Sequence, residues 1–134
     1  MAGYSGTPLQ KKLGIKPGMK MIWENVPNHY ESLIGPLPED ISFVYDGESK
    51  ADFIHLFCQD LSTLEQNLGN CKSQLGKNGM LWLSWPKKSS KITTDLDREI
   101  VREYGLNIGL VDIKVCAVDE NWSGLKFVYR VTDR

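Results

Sequence analysis

The sequence predicts an α/β domain: a mostly parallel sheet of about six strands, closed at its C-terminal end by an antiparallel hairpin. Three observations carry that expectation. β-rich apolar runs alternate with amphipathic helical stretches through residues 19–108, the order that lays strands side by side with helices crossing between them. Residues 80–85 are almost solidly apolar, as suits a strand covered on both faces. Residues 110–118 and 125–131 each alternate at period two, and the short link 119–124 between them suits a hairpin.

The totals agree with one domain over residues 1–134, with residues 1–18 as an arm and short helix and 19–132 as the α/β core. A chain of this length buries roughly two-thirds of its unfolded surface, enough for a sheet covered by helices without metals or disulfides. Lys and Arg number 16 against 17 Asp and Glu, a net charge of −1, which argues against a general nucleic-acid binder but leaves room for a local basic patch. Cys58, Cys71 and Cys116 are odd in number and widely spaced, so neither a zinc site nor a disulfide framework is expected. Free thiols in apolar segments point to a reduced, cytoplasmic setting. The N-terminus has no basic and apolar leader, and no run approaches a membrane span.

In chain order, residues 1–6 are small and Gly-rich. Thr7-Pro8 reads as an N-cap and first helical residue, and Gly14 as the stop of a helix over Leu9–Leu13. The first strand is expected over 19–26, followed by a short helix over 27–34 that Gly35-Pro36 ends. Residues 41–45 and 51–58 read as strands two and three, with 46–50 between them leaving no room for a full helix. Ser62-Thr63-Leu64-Glu65 has capping-box spacing, and Leu61, Leu64, Leu68, Cys71 and Leu75 form one apolar stripe. Asn78-Gly79 reads as the turn into the central strand. Thr94-Asp95 is expected to open a helix carrying Leu96, Ile100, Val101, Tyr104 and Ile108. In the last pair, Val111, Ile113, Val115 and Ala117 share one face, and Leu125, Phe127, Tyr129 and Val131 share one face of the partner. The exposed edge of the sheet falls to 41–45 or 51–58, depending on topology.

Open α/β sheets hold ligands at the carboxyl ends of their strands. Pro86 ends the apolar run and Lys87, Lys88, Ser89, Ser90 and Lys91 follow it. Such a loop suits a phosphate or carboxylate, and suits equally an ordinary solvated loop. Trp85 and Trp122 are expected as neighbours at that edge, where an aromatic pair stacks on a planar ligand or a partner's side chain. Asp46 ends strand two, where an acidic group would hold ribose hydroxyls, although Asp46-Gly47 is adequately explained as a turn. His29 lies beside the first turn and is the better histidine for chemistry; His55, inside an apolar strand, reads as a hydrogen-bonded core residue. Asp119 and Glu120 are adjacent in a turn and point apart, and Asp60 is explained as a helix start. Two histidines without cysteines at ligand spacing call for no metal.

The element order and the terminal hairpin resemble the Rossmann-like fold of S-adenosylmethionine-dependent methyltransferases, reduced to its smaller half. A second resemblance rests on motifs. Ala2-Gly-Tyr-Ser-Gly-Thr-Pro-Leu9, Lys11-Lys-Leu-Gly-Ile-Lys-Pro-Gly18, Trp85-Pro-Lys-Lys88 and the stretch from Gly109 through Gly124 look like a family of small uncharacterised bacterial proteins. That likeness implies a bacterial cytoplasmic protein and supplies no catalytic residue.

The first turn departs from the methyltransferase pattern. Glu24-Asn25-Val26-Pro27-Asn28-His29 has no glycine, Pro27 has no N–H to offer, and Val26 and Asn28 are expected to fill the cofactor's space. The favoured reading is therefore a non-catalytic Rossmann-like module with no cofactor and no metal. It binds a small anionic ligand or a protein partner, and neither nucleic acid nor membrane, through Trp85, Lys87, Lys88 and Trp122, ringed by Asn25, His29 and Asp46. The alternative is an S-adenosylmethionine-dependent methyltransferase with an atypical first turn.

Overall fold

The structure, a computed structural model, describes residues 8–134; the Thr7 cap and the opening arm lie outside the described residues. Six strands form one sheet in the order β2-β1-β3-β4-β6-β5. They are β1 (Lys20–Glu24), β2 (Ser42–Phe43), β3 (Ala51–Phe57), β4 (Leu75–Pro86), β5 (Leu110–Ala117) and β6 (Trp122–Tyr129). The first four run parallel, and β6 pairs antiparallel with both β4 and β5. The expected α/β frame with its antiparallel C-terminal pair is thus present. The edges are β2 and β5, while β3 is interior, which removes 51–58 as an edge.

Strand alternation sends side chains into two separate cores. Ile22, Ile54, Leu56, Leu81, Leu83, Leu125 and Phe127 face α3 (Leu61–Gln74) and α4 (Arg98–Asn107). Met21, Phe53, Phe57, Trp82 and Trp122 face α1 (Leu9–Leu13) and α2 (Tyr30–Ile34). The second cover is thin, two helices of five residues each, and polar contacts fasten it. The Trp82 indole N–H donates to Leu13 O at 2.9 Å, and Gln10 Nε2 donates to Ile34 O at 2.9 Å.

Several local expectations need correcting. The cap of α3 is Asp60, which accepts from the Thr63 N–H at 2.9 Å, so the Ser62 capping box is not the start. The cap of α4 is Asp97, and Asp95 instead accepts from the Leu61 N–H at 2.8 Å, bracing the start of α3. Asn78-Gly79 is an irregularity inside β4 rather than a turn before it, because Ala51 pairs with Leu75 while Phe53 pairs with Met80. A Cβ at Gly79 would stand 2.9 Å from Ala51 O, so only glycine lets the backbones approach there. The hairpin is tighter than expected, β6 beginning at Trp122 rather than 125. The common face expected for Val111, Ile113, Val115 and Ala117 is broken by a register shift between Asp112 and Lys114, which leaves Ile113 57% and Val115 48% exposed.

Candidate functional site

β2 is so short that it pairs only with Lys20 and Met21. The outer edge of β1 from Ile22 to Glu24 is therefore left without a strand beside it, just before the chain turns at Asn25. A cavity of about 400 Å³ opens along that edge, lined by Trp23, Glu24, Val26, Glu31, Phe43 and Tyr45 among others. Its size lies within the range of ordinary ligand pockets. A second hollow of about 250 Å³ shares Ile22, Glu24, Gly47 and Gln74 with it and runs toward α3.

The turn itself does what a glycine would do. Asn25 has φ 57°, in the left-handed region that glycine normally supplies and asparagine tolerates best among the other residues. The walls are both polar and flat. Glu24 and Glu31 bring carboxylates to the lining, and Phe43 and Tyr45 stack with centroids 6.2 Å apart at 24°. Trp23 meets Tyr30 and Phe43 edge-on, and its indole N–H is buried with no acceptor among the described residues. A buried donor without a partner is uncommon in a folded chain and marks a place where an acceptor is wanted.

On the opposite side of the β1 exit, His29 Nε2 donates to Asp119 Oδ2 at 2.8 Å. Asp119 is 8% exposed, and its Oδ1 accepts from the Asn121 and Trp122 N–H groups at 2.8 Å each. The carboxylate is thereby fixed by the hairpin turn and fixes the imidazole in turn. The Lys87 N–H donates to Asn121 O at 2.8 Å, tying the basic loop to the same turn. Trp122 packs edge-on against Phe57 at 5.1 Å.

The structure thus brings Asn25, His29, Trp122 and Lys87 to one end of the sheet. It does not bring the rest. Lys88 is exposed beyond Lys87. Trp85 and Trp122 lie on opposite faces, since Trp85 pairs with Ser123 and Pro86 with Trp122, so the expected aromatic pair does not form. Asp46 is spent on its own loop, accepting from the Glu48 and Ser49 N–H groups and from the Ser49 hydroxyl, bonds that hold its carboxyl down at about 2. The residues that line the cavity, Trp23, Glu24 and Glu31, carried no signal beyond their nearness to the first turn.

Beneath the site, the Tyr30 hydroxyl lies 2.7 Å from His55 Nδ1, and His55 Nε2 lies 2.7 Å from the Ser84 hydroxyl. All three residues are buried. A neutral imidazole donates at one nitrogen and accepts at the other, and either hydroxyl serves in either role, so the chain is fully satisfied. Burial alone pushes His55 down to about 3. This is the hydrogen-bonded core histidine that its strand position implied, and it anchors α2 to β3 and β4.

No family model matches the sequence, and no curated protein matches it. The fold is shared with solved structures. A TehB-like SAM-dependent methyltransferase from Corynebacterium glutamicum matches at TM-score 0.57 and 11% identity, over 96% of this chain and 91% of its own. A ribosomal protein methylase from Lactobacillus delbrueckii subsp. bulgaricus matches at TM-score 0.57 and 13% identity, over 91% and 75% of the two chains. Magnesium protoporphyrin IX methyltransferase from Synechocystis, with bound SAH, matches at TM-score 0.57 and 9% identity, over 90% and 78%. The chain has a methyltransferase-like Rossmann fold. These likenesses overturn the reading of a non-catalytic module, which required the first turn to be plugged. Val26 is instead a wall of an open cavity.

Proposed function

We propose that the protein is an S-adenosylmethionine-dependent methyltransferase with an atypical first turn, its cofactor held along the outer edge of β1. The observation that carries this reading is the cavity beside a left-handed Asn25, at the strand end where such a fold takes a nucleoside. The lining suits the group. Glu24 and Glu31 offer acceptors to hydroxyl and ammonium groups, and Phe43 and Tyr45 offer flat surface to a base. Asp46 has no share in it, and Glu24 takes the acidic role that the second strand normally fills.

When bound, the cofactor would supply the methyl group of its sulfonium to a nucleophile, leaving as the neutral thioether. Because Asp119 accepts the hydrogen bond of the His29 Nε2–H, Nδ1 carries the free lone pair of that ring, placed to take the proton that the nucleophile loses. The motif likeness to small bacterial proteins fits a reduced methyltransferase of the cytoplasm, and the three cysteines are all free. Among the described residues no helix is long and apolar enough to cross a membrane.

Calorimetry with S-adenosylhomocysteine tests the reading. Micromolar binding to the wild type, weakened by Glu24→Gln and by Glu31→Gln, is the expected result. Heat-silent titration of a protein that melts cooperatively would remove the proposal.

A further inference from the structure

On the α1 side of the sheet, β5 and β6 carry a feature that works against stability. Between Asp112 and Lys114 the register of β5 shifts by one residue, so that Lys114 stands directly across from Lys126. Without that bulge, alternation from Val111 would set Ile113 opposite Lys126 and turn Lys114 to the other face. The bulge therefore exchanges an apolar neighbour for a second ammonium group, leaves Ile113 exposed, and places like charges across a ladder, which is unfavourable.

More lysines join them. Burial, Lys114 and Lys16 together hold Lys126 below its ordinary value. Lys114 Nζ donates to Lys12 O at 3.2 Å, and Lys12 Nζ donates to Ala117 O at 3.2 Å. Burial holds the Cys116 thiol above its ordinary value, against the pull of Lys12, Lys114 and Lys87 nearby. Among the described residues the ion pairs are His29–Asp119 and Arg102–Asp112, and neither includes Lys16, Lys114 or Lys126. A patch that concentrates cations in this way is relieved by an anionic partner.

We propose that the face formed by Lys16, Lys114 and Lys126, flanked by Lys12 and Lys87, binds the phosphodiester backbone of a nucleic acid. Lysine is depleted in protein–protein interfaces, whereas nucleic-acid interfaces are polar and strongly positive. The run ends at Lys87, which is tied to the same turn as Asp119, so a strand lying on it reaches the carboxyl edge. A net charge of −1 leaves room for such a patch, since 16 Lys and Arg stand against 17 Asp and Glu. The inference deepens the methyltransferase reading by naming a substrate class. It is tested by binding alone, without cofactor, so its failure is distinct from a failure of that reading.

The experiment is fluorescence anisotropy with a labelled single-stranded RNA of about 20 nucleotides, longer than one such site, titrated over a range of salt. With three to five lysine contacts, log K should fall against log salt with a slope of about −2 to −3.5. Lys114→Gln with Lys126→Gln should weaken binding roughly tenfold and flatten the slope by about 1.4, with Lys77→Gln unchanged as control. The double variant should melt no lower than the wild type, since a repulsion has been removed. Duplex DNA in place of RNA tells which nucleic acid is preferred, and steep, lysine-dependent binding of either supports the proposal. Absence of binding, binding unaltered in the double variant, or equal binding of polyglutamate would overturn it.

Discussion

The buried chain Tyr30–His55–Ser84 makes a quantitative prediction about acid. In the unfolded chain an imidazole takes up its proton near pH 6.5, whereas in the fold His55 stays neutral down to about 3. The unfolded state therefore binds more protons throughout that window. The contribution is whole above the unfolded value and is lost progressively as pH falls toward the folded one. From about pH 7.5 to about pH 5 the loss from this one residue is about 2 kcal/mol. Asp46, held near 2, loses its favourable bonds only at more acid pH and stays outside the interval. Urea denaturation at the two pH values measures the loss. The comparison is the triple variant Tyr30→Phe, His55→Phe, Ser84→Ala, which deletes the titrating ring together with both hydroxyls that would otherwise be stranded. The variant should lose about 2 kcal/mol less than the wild type over the same interval. Equal losses in the two proteins would refute the assignment of a neutral, buried His55. Because Tyr30 opens α2, the same acidification should loosen the helix next to the β1 turn before the sheet itself melts.

Gly105 on α4 has Phe127 Cε1 only 2.1 Å from where a Cβ would stand, so Gly105→Ala should cost at least 1–3 kcal/mol despite its better helix propensity; a melting temperature equal to wild type would contradict the packing. Asn25→Gly should leave stability within about 0.5 kcal/mol while Asn25→Val loses about 1–2 kcal/mol, because only the latter resists a left-handed backbone; both are read by thermal melts, and cofactor binding should follow the same order. Cys58 and Cys71, pushed up to about 12 by burial, should resist thiol reagents at neutral pH until the chain is unfolded, and Cys116 should react first; mass-resolved alkylation gives the order.

The frame was legible because it follows from periodicity. The apolar runs over β3 and β4, the stripe Leu64, Leu68 and Cys71 on α3, and the alternation of β6 each encode one buried face. What periodicity does not carry is which carboxylate meets which helix end. Asp60, Asp95 and Asp97 all sit before helical stretches, and Asp95 serves the far helix, a choice made by the packing of α3 beside residues 95–97 rather than by any local pattern. The bulge in β5 was equally hidden. Its residues alternate cleanly as written, and only pairing with β6 shows one of them expelled.

The geometry beside the first turn was not legible, and the reason is physical. The first turn was expected to be closed because it holds no glycine, an argument from side-chain bulk. Closure, however, depends on backbone direction and on what stands beside β1. Asn25 takes the left-handed conformation and turns the chain away, while β2 ends at Phe43, two residues before its apolar run suggests. Val26 lines the resulting cavity together with Ile22, Trp23 and Glu24 on the unpaired edge of β1. The acid at the end of β2 is displaced for the same reason: with β2 cut short, Asp46 falls in a self-bonded return loop, and the carboxylates that line the opening are Glu24 and Glu31. A shortened second strand thus opens a hollow along the edge of β1, and a search for the glycine pattern does not look there.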